Sequence, residues 1–586
     1  MLRDVLLDIM FGCSHSALLI GSTVIALATI LFIKSNARRK RVRSNRCKVA
    51  KQCVKYKKTI STVAERITEK KFSPEQVDSI TELSLSELVA SLKNGRLKAV
   101  DVLNAYQSKA IEQNEQYNFI TTFLEEAEDA ALALDESDKP KGMLHGVPVS
   151  LKDFFTVKGY DTTLGMARYV DSPWAEDCVV VKVLKYQGAI PFMKTNIPQT
   201  NLHFDCSNPI FGRTLNPWSK QRTPGGSSGG EAAAIAAGSS IVGMGSDIGG
   251  SIRIPAHFCG ICGIKPTVGR ISKKGLHMFK GENLLAASMG PMGRDVDSVA
   301  TMMKALLVPY MFELDPMTPP LTFNTEEYES NRPLKIGFYL EDDWSVPIPA
   351  CNRAVELAVA TLKSQGHEVV PYSPTRAQEM YLDYYMRFCM ADGGQELLKS
   401  LEDEPVFDPT IKGQVSVLKL PKILRTTLAI LLKPMMPLLS RMILCLNGFR
   451  SIKDMNEKKC DIQEWQLKIL QDWERLGLDA VVCPVAPCVA VLNGYPAKCL
   501  GALSYTAYYN LADFPAGVVP VTTVTAEDDQ NLKSYYNYDV LWMKNMKMGC
   551  VDAIGLPVGV QCVTKPWHEE LCLRVMRDVE NGLKKD

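Results

Sequence analysis

The sequence predicts an α/β fold in which buried strands alternate with helices along the chain. Residues 147–151 and 189–193 are short apolar runs with the length and composition of buried strands. The stretch 178–185 between them has the apolar spacing of a helix. This order favours a largely buried sheet covered by helices. The composition agrees, because 46% of the 586 residues are hydrophobic and 23% are charged, which excludes global disorder.

Most of the excess positive charge lies in one short segment. Residues 34–58 hold twelve Lys and Arg residues and no Asp or Glu. The remainder has 55 basic and 65 acidic residues, a net charge of −10, although the whole chain carries +2. A nucleic-acid-binding protein would spread its positive charge over a domain face. We therefore expect no nucleic-acid partner.

An apolar run comes directly before this basic arm. Residues 17–33 contain no Lys, Arg, Asp or Glu, and a helix needs about 17–25 apolar residues to cross a bilayer. Because positive charge collects on the cytoplasmic side, the pattern predicts a lumenal tail over 1–16, a transmembrane helix over 17–33 and a cytoplasmic basic arm over 34–58. A buried helix and a cleaved signal are the alternatives, and the net acidic leading residues disfavour the signal.

The rest of the chain is predicted to face the cytoplasm. The 17 cysteines are odd in number and have no framework of spacings, which fits a reduced compartment. Cys259 and Cys262 form a CxxC without a second pair, and two small residues in a packed turn are favoured over a zinc or redox site. We expect a single-pass protein of the endoplasmic reticulum or another endomembrane.

Residues 59–128 are predicted to form a helical region ahead of a main body that spans 129–586. Ser84 and Glu87 make a capping box before a periodic apolar pattern. A second amphipathic stretch covers 99–113.

The segment 418–446 is unusual within the main body. It is rich in Leu, Ile and Met, carries five Lys and Arg residues, and is broken by Pro434 and Pro437. It is either a helical hairpin that dips into one bilayer leaflet or an ordinary buried hairpin. The pattern alone does not separate the two.

Two Gly/Ser-rich segments, 223–231 and 245–253, carry the chemistry. Dense glycines let successive N–H groups point at an anion. The phosphate-loop pattern GxxxxGK[ST] is absent from them. The α/β-hydrolase pattern GxSxG occurs at 225–229, but any GGSSGG contains it. The remaining alternative is a serine nucleophile activated by lysine instead of histidine.

Lys152 is the candidate for that lysine. It follows the apolar run 147–151 directly and is therefore expected to be partly buried. Burial disfavours the charged ammonium and leaves an amine that can accept a proton. Taken alone this is modest support, because most lysines at strand ends reach solvent.

Together these segments resemble the amidase signature family. The signature spans about 224–267, and the likeness extends over most of the chain from Leu85. Further matching stretches are 204–209, 262–267, 505–523 and 555–558. The resemblance implies an α/β amidase-signature fold, with a large twisted mixed β-sheet covered by helices on both faces and here preceded by one transmembrane helix.

The resemblance also implies a role for each matching residue. Ser251 falls at the nucleophile, Ser227 at the bridging serine and Lys152 at the general base. The backbone N–H groups that fall at the oxyanion hole are those of Ile248, Gly249, Gly250 and Ser251. The choice of Ser251 as nucleophile comes from the family, since spacing alone does not make it. No metal ion and no cofactor are expected.

Several positions depart from the family pattern. Ser246 stands where Thr is common, which keeps a hydroxyl. Asn201, a candidate substrate-binding residue, falls where similar enzymes place a Met against the substrate. Leu202 and His203 follow it where relatives look more apolar, aromatic or smaller. His203 is either a polar channel residue or simply a packed one.

The expected function is hydrolysis of fatty acid amides to a free acid and an amine or ammonia. The membrane segment, the 418–446 hairpin and the run 513–528 resemble the branch of the family with that substrate. The implied partners are a lipid amide, the bilayer and a second copy of the chain. The alternatives are a hydrolase of shorter amides or esters, an amidotransferase-type subunit, and a lipid carrier without activity. All three triad residues are present, which disfavours the carrier.

Overall fold

A computed structural model describes residues 2–70, 72–278, 285–535 and 541–584, without the side chains of residues 2–31. The strands are β1 Ile120–Phe123, β2 Pro148–Lys152, β3 Ile190–Thr195, β4 Ser207–Asn208, β5 Gly212–Arg213, β6 Val242–Asp247, β7 Cys262–Lys265, β8 Ser288–Gly293, β9 Lys335–Phe338, β10 Glu368–Pro371, β11 Ala480–Pro484, β12 Ala516–Thr523 and β13 Pro557–Thr564.

The helices follow in chain order. They are α1 Leu2–Lys70, α2 Pro74–Thr81, α3 Leu85–Lys93, α4 Ala99–Tyr117, α5 Ala127–Asp135, α6 Val179–Tyr186, α7 Gly229–Ala236, α8 Arg253–Cys259, α9 Val296–Leu306, α10 Pro309–Leu314, α11 Thr325–Glu329 and α12 Pro349–Ser364. The remaining ones are α13 Ala377–Glu379, α14 Arg387–Cys389, α15 Gln395–Ser400, α16 Pro409–Leu418, α17 Lys422–Leu432, α18 Pro437–Cys445, α19 Ile452–Leu476, α20 Ser504–Leu511, α21 Ala526–Lys533, α22 Leu541–Gly549 and α23 Glu569–Leu583. A π-helical stretch, Met380–Met386, joins α13 to α14.

The large mixed sheet is confirmed. Its order in the described residues is β1-β3-β2-β6-β8-β7-β12-β13-β11-β9-β10. The strand β2 is parallel to both of its neighbours, β3 and β6, whereas β6 and β8 are antiparallel. Two groups of helices pack against the sheet. One group contains α7 and α8, and the other contains α9, α12 and α23. Because both sides of β2 and β6 are covered, every residue of these strands is buried.

The predicted strands and the helix between them are confirmed as β2, β3 and α6. The capping box at Ser84 and Glu87 is also present. The region predicted as helical over 59–128 contains helices and, near its end, one strand. There α4 stops at Asn118, which has a left-handed φ of 54°, and β1 then pairs with β3. Ile120 and Phe123 are both fully buried where β1 adds to the edge of the sheet beside β3.

The predicted basic arm is part of one long helix, since α1 runs from Leu2 to Lys70. Almost all of the predicted transmembrane segment 17–33 lies where the structure describes no side chains. In the described part of the chain, no helix combines the length and the apolar character needed to cross a membrane.

Candidate active site

The site lies where two parallel strands end. Lys152 is the last residue of β2 and Asp247 is the last residue of β6. Because β2 and β6 are parallel neighbours, their carboxyl ends meet at one edge of the sheet, where α/β folds commonly bind ligands. Both side chains are fully buried. The sequence predicted that Lys152 closes a buried strand and is partly buried; its side chain is fully buried.

Lys152 contacts two serine hydroxyls. Its Nζ donates to Ser227 Oγ at 2.7 Å and to Ser246 Oγ at 2.9 Å. Ser227 lies just before α7, after a cis peptide bond from Gly226, and is buried. The structure thus brings together two of the three predicted triad residues and adds Ser246, which the sequence marked only as a departure.

Ser251 lies in the turn between β6 and α8 and is half-buried in the wall of a cavity. Its carbonyl oxygen accepts the N–H of Ser228 at 3.1 Å. This bond joins the two Gly/Ser segments, so that Ser227 and Ser251 belong to one connected site. Ser251, the predicted nucleophile, lines the cavity, whereas Lys152 is fully buried and does not line it.

The four residues of the predicted oxyanion hole lie in the turn after β6. The N–H of Gly250 donates to Asp247 Oδ1 at 2.8 Å. Within the described residues, the N–H groups of Ile248, Gly249 and Ser251 have no acceptor. Gly250 differs from these three residues because the Asp247 carboxylate, at the end of β6, accepts its N–H and so caps the turn that follows the strand.

Asp247 also forms a buried ion pair that the sequence reasoning missed. Arg253 Nε and Nη2 donate to its two carboxylate oxygens at 3.0 and 2.9 Å, and Asn510 Nδ2 donates at 2.9 Å. Burial alone would raise the pKa of Asp247, but the Arg253 guanidinium and these hydrogen bonds hold it well below its ordinary value. The available signal was the pair of charges inside the otherwise small-residue segment 245–253.

Glu231 is a second buried carboxyl group that was not given a role. Ser150 Oγ and Thr195 Oγ1 donate to it, the latter at 2.6 Å. Burial raises the pKa of Glu231 to about 7, and these hydrogen bonds partly oppose the rise. Glu231 lies near Lys152, because its hydrogen-bond partner Ser150 is two residues before Lys152 on β2. The sequence signal was a charged residue in the otherwise small and apolar start of α7.

A cavity of about 420 Å³ opens beside Ser251. Its wall is mostly apolar and aromatic, as in pockets that bury a lipid or a drug-sized ligand. The predicted substrate-binding residue Asn201 lines it, together with Leu202 and His203. The side chains that make the wall apolar include Phe204, Tyr381, Met386, Phe388, Leu500 and Leu503.

A buried lysine–serine pair beside an accessible serine, at the carboxyl edge of a mixed sheet, fits a serine hydrolase that uses lysine in place of histidine. The chain belongs to the amidase family. The sequence pattern described as Amidase matches residues 101–573, which is most of the chain.

Several curated relatives agree with this assignment. The chain is 46% identical over 500 residues to fatty-acid amide hydrolase 1 of Sus scrofa, covering 85% of each chain. It is 37% identical over 517 residues to fatty acid amide hydrolase 1 of Caenorhabditis elegans, covering 87% of this chain and 90% of the relative. It is 31% identical over 531 residues to an acetamidase of Emericella nidulans, covering 85% and 89%.

Solved structures share the fold. A structure described as fatty acid amide hydrolase matches with a TM-score of 0.76 at 24% identity, covering 92% of this chain and 94% of that one. A peptide amidase from Stenotrophomonas maltophilia matches with a TM-score of 0.63 at 20% identity, covering 86% and 97%. The predicted amidase-signature fold is therefore confirmed.

Proposed function

We propose that this protein hydrolyses fatty acid amides to a fatty acid and an amine or ammonia. The observation that carries the proposal is the 2.7 Å contact between Lys152 Nζ and Ser227 Oγ, next to a largely apolar cavity that exposes Ser251. The amidase relatives support the reaction type. Relatives named for fatty acid amides, at 46% and 37% identity, support the substrate class.

In the proposed reaction, neutral Lys152 takes a proton from Ser227 as Ser227 takes one from Ser251. The Ser251 oxygen attacks the amide carbonyl, and the negative charge moves to the carbonyl oxygen. The free N–H groups of Ile248, Gly249 and Ser251 stabilise that oxyanion. Ser246 orients the amine of Lys152 through its own 2.9 Å contact.

The proton then returns along the same relay to the amide nitrogen. This step is required because an unprotonated amine anion is a poor leaving group. The C–N bond breaks, the amine departs and the acyl group stays on Ser251 as an ester. Water attacks the ester, and the fatty acid leaves as Ser251 recovers its proton.

A fluorophosphonate probe tests this assignment and the substrate class together. We expect the probe to label Ser251, and we expect oleamide to be cleaved with a higher kcat/KM than acetamide. The labelled residue is mapped by peptide mass spectrometry. A preference for acetamide would favour a short-chain amidase, as the acetamidase relative suggests. If the probe labels no serine, the remaining interpretation is a lipid carrier without activity.

We further propose that the protein works at a membrane, with residues 17–33 as a single-pass anchor and the main body on the cytoplasmic side of an endomembrane. Support comes from α1, which continues without a break from the apolar run to Lys70. Arg41 Nε donates to Asp403 Oδ2 at 2.7 Å, in the loop ahead of α16. Arg41 is eight residues beyond Ile33, or about 12 Å along a helix. The loop then lies near the bilayer surface.

The hairpin formed by α17 and α18 supports the same proposal. Arg425, Ala429 and Ser440 are buried against the main body. The opposite face is apolar but open, with Ile423 at 78%, Leu431 at 69% and Met435 at 85% exposure. An exposed apolar patch of this kind usually marks a surface that contacts a membrane or another protein. In a homodimer, the two copies of this apolar face would lie on the same side of the assembly.

Truncation separates the anchor from the hairpin. Removing residues 1–33 should leave a protein that still floats with phosphatidylcholine vesicles at physiological salt. The double variant Ile423→Glu and Leu431→Glu, made in the truncated protein, should not float, because charge is costly to bury among acyl chains. Leu132→Glu on α5 is the matched control, since Leu132 is also exposed. A truncated protein that never floats would rule out the hairpin as a membrane contact.

A further inference from the structure

The proposed reaction leaves the buried carboxyl group of Glu231 without a role. Glu231 lies in the first turn of α7, among residues that are otherwise small or apolar, and its side chain is fully buried. The sheet makes room for this side chain, because a Cβ at Gly243 on β6 would overlap Glu231 Oε1. An ionised carboxyl group is costly to bury. The protonation state of Glu231 is therefore the first question about it.

The carboxyl group of Glu231 lies on the same face of the sheet as Lys152. Thr195 Oγ1 contacts Glu231 Oε2 at 2.6 Å, and Thr195 is directly opposite Lys152 in the register of β2 and β3. Ser150 Oγ contacts Glu231 Oε1, and Ser150 is two residues before Lys152 on β2. Side chains two residues apart on a strand share a face and are about 7 Å apart. Burial raises the pKa of Glu231, and the charge of Lys152 opposes that rise, so that each group senses the charge of the other.

The protons around Glu231 can be counted. Four contacts between oxygen atoms form one chain: Thr195 Oγ1 to Glu231 Oε2 at 2.6 Å, Glu231 Oε1 to Ser150 Oγ, Ser150 Oγ to Ser240 Oγ at 2.8 Å, and Ser240 Oγ to the carbonyl oxygen of Val242 at 2.9 Å. Each contact needs a proton, because two oxygens this close repel each other without one. The three hydroxyl groups supply three protons. The fourth proton must come from the carboxyl group of Glu231.

The direction of each hydrogen bond then follows. The carbonyl oxygen of Val242 only accepts, so that Ser240 donates to it and Ser150 donates to Ser240. The proton of Ser150 is thereby used, and the contact with Glu231 Oε1 is donated by the acid. Thr195 donates to the other carboxyl oxygen. An ionised Glu231 would leave one contact of the chain without a proton.

We propose that Glu231 keeps its proton at neutral pH and thereby allows Lys152 to act as a neutral base. An ionised Glu231 would stabilise the ammonium form of Lys152, which cannot take the proton of Ser227. A protonated Glu231 puts no negative charge behind the amine. Glu231 is thus a positioning residue that acts through Lys152 and does not touch the substrate. This inference rests on the proposed relay and explains how its lysine is kept neutral.

The other charges around α7 are compensated or exposed. The main elements packed against α7 are β2, β3, β6, β8, α4 and α8. Their buried charges other than Lys152 are paired, Lys194 with Asp153 and Asp247 with Arg253. Burial keeps Tyr106, His257 and Cys259 neutral at pH 7, because it raises the pKa of Tyr106 to about 12, lowers that of His257 to about 4 and raises that of Cys259. The charged residues of α4 are at least partly exposed: Asp101, Lys109, Glu112 and Glu115.

The test is the pH profile of oleamide hydrolysis by the full-length protein, read at the midpoint of its acid limb. Ser240→Ala breaks the chain, since Ser150 can then donate to Glu231 and the carboxyl group can ionise. We expect the midpoint to move to higher pH by about one to two units, the effect of one charge at roughly 7–10 Å and an effective dielectric constant of about 20. Glu231→Gln keeps a donor and an acceptor but cannot ionise. Its midpoint should stay at the wild-type value.

A double variant separates the charge of Glu231 from a change in structure. Glu231→Gln combined with Ser240→Ala should restore the wild-type midpoint, because no carboxyl group remains to ionise. A purely structural effect of Ser240→Ala would persist in the double variant. Ser239→Ala is the matched control, since Ser239 is the preceding residue and is equally buried, but its Oγ donates to the carbonyl of Lys109. Its midpoint should match that of the wild type.

Three results would overturn the proposal while amide hydrolysis stands. The first is a Glu231→Gln midpoint at least one unit lower, which would mean that the native carboxyl group is ionised. The second is an unmoved midpoint in Ser240→Ala, and the third is a shift that persists in the double variant. If the wild type cleaves no long-chain amide, the proposed function fails instead.

Infrared spectroscopy reads the proton of Glu231 without any turnover. The difference spectrum between Ser251→Ala and the same protein with Glu231→Gln, recorded at pH 7, should contain the carbonyl stretch of a protonated carboxyl group. A carboxylate band in its place would overturn the proposal, whether or not the protein hydrolyses amides.

Discussion

Replacing Lys152 with Ala is expected to lower kcat/KM for oleamide at pH 7 by about 100- to 10,000-fold, the usual contribution of a general base. The reason is that Lys152 Nζ is the basic group in contact with Ser227 Oγ, at 2.7 Å, and it is fully buried. Water is therefore poorly placed to substitute for it. The measurement is initial rates at several oleamide concentrations.

The pH profile separates a catalytic role from a structural one. Wild-type activity should fall on acidification, because a protonated Lys152 cannot accept the proton of Ser227. That limb should be missing from the residual activity of Lys152→Ala. Lys265→Ala is the control, since Lys265 is also fully buried in the sheet but donates to the carbonyl of Pro266. A Lys152→Ala enzyme with unchanged activity would refute the relay.

Replacing Asp247 with Asn is expected to lower the free energy of unfolding by about 3–5 kcal/mol. The substitution keeps the size of the side chain but leaves the Arg253 guanidinium buried without a counter-charge. It also replaces one of the two acceptor oxygens with an NH2 group, so that the Ile252 N–H, which donates to Asp247 Oδ2 at 3.1 Å in the turn carrying Ser251, loses its acceptor. Urea unfolding followed by tryptophan fluorescence measures the stability, and oleamide hydrolysis reports the effect on the turn.

An exposed ion pair gives the comparison for this variant. Glu379→Gln removes the partner of Arg376 at the surface, where both side chains are more than 40% exposed, and should cost less than about 1 kcal/mol. Equal losses in the two variants would mean that burial of the Asp247 pair does not matter.

The pH dependence of the Asp247→Asn effect has a definite sign. Because the pKa of Asp247 is depressed in the folded protein, its contribution is fully present above the unfolded value of about 3.9. It is lost as the pH falls through the folded pKa. The difference between wild type and variant should therefore be constant from pH 7 to about pH 5 and shrink only in stronger acid.

Much of the site could be predicted from the sequence because the patterns that indicate it are local. Ser227 and Ser251 lie in short Gly/Ser segments, and Lys152 follows an apolar run that predicts β2. Period and composition over a few residues are sufficient to find the segments, whereas the roles of the three residues come from the resemblance to the amidase signature family. The strand β1 was not predicted because it has only four residues and follows a long amphipathic helix.

Other features depend on contacts between distant parts of the chain. Asn510 reaches Asp247 across 263 residues of sequence. Arg253 likewise reaches Gln561 across 308 residues, with Nη1 donating to Gln561 Oε1 at 2.6 Å. The exposed apolar face of α17, which the pattern could not separate from a buried hairpin, likewise follows from how the hairpin packs.

The sequence by itself determined the α/β class, the identity of Lys152, Ser227 and Ser251 as candidates, and the polar departures at Asn201 and His203. The α/β class follows from residue type and spacing along single segments, and the candidates and departures follow from the resemblance to the amidase signature family. Only the tertiary structure decided which N–H groups are free, which charges are paired and which buried polar atoms lack a partner. Hydrogen bonding and burial are properties of the surroundings of an atom, and those surroundings come from segments that the chain brings together only when it folds.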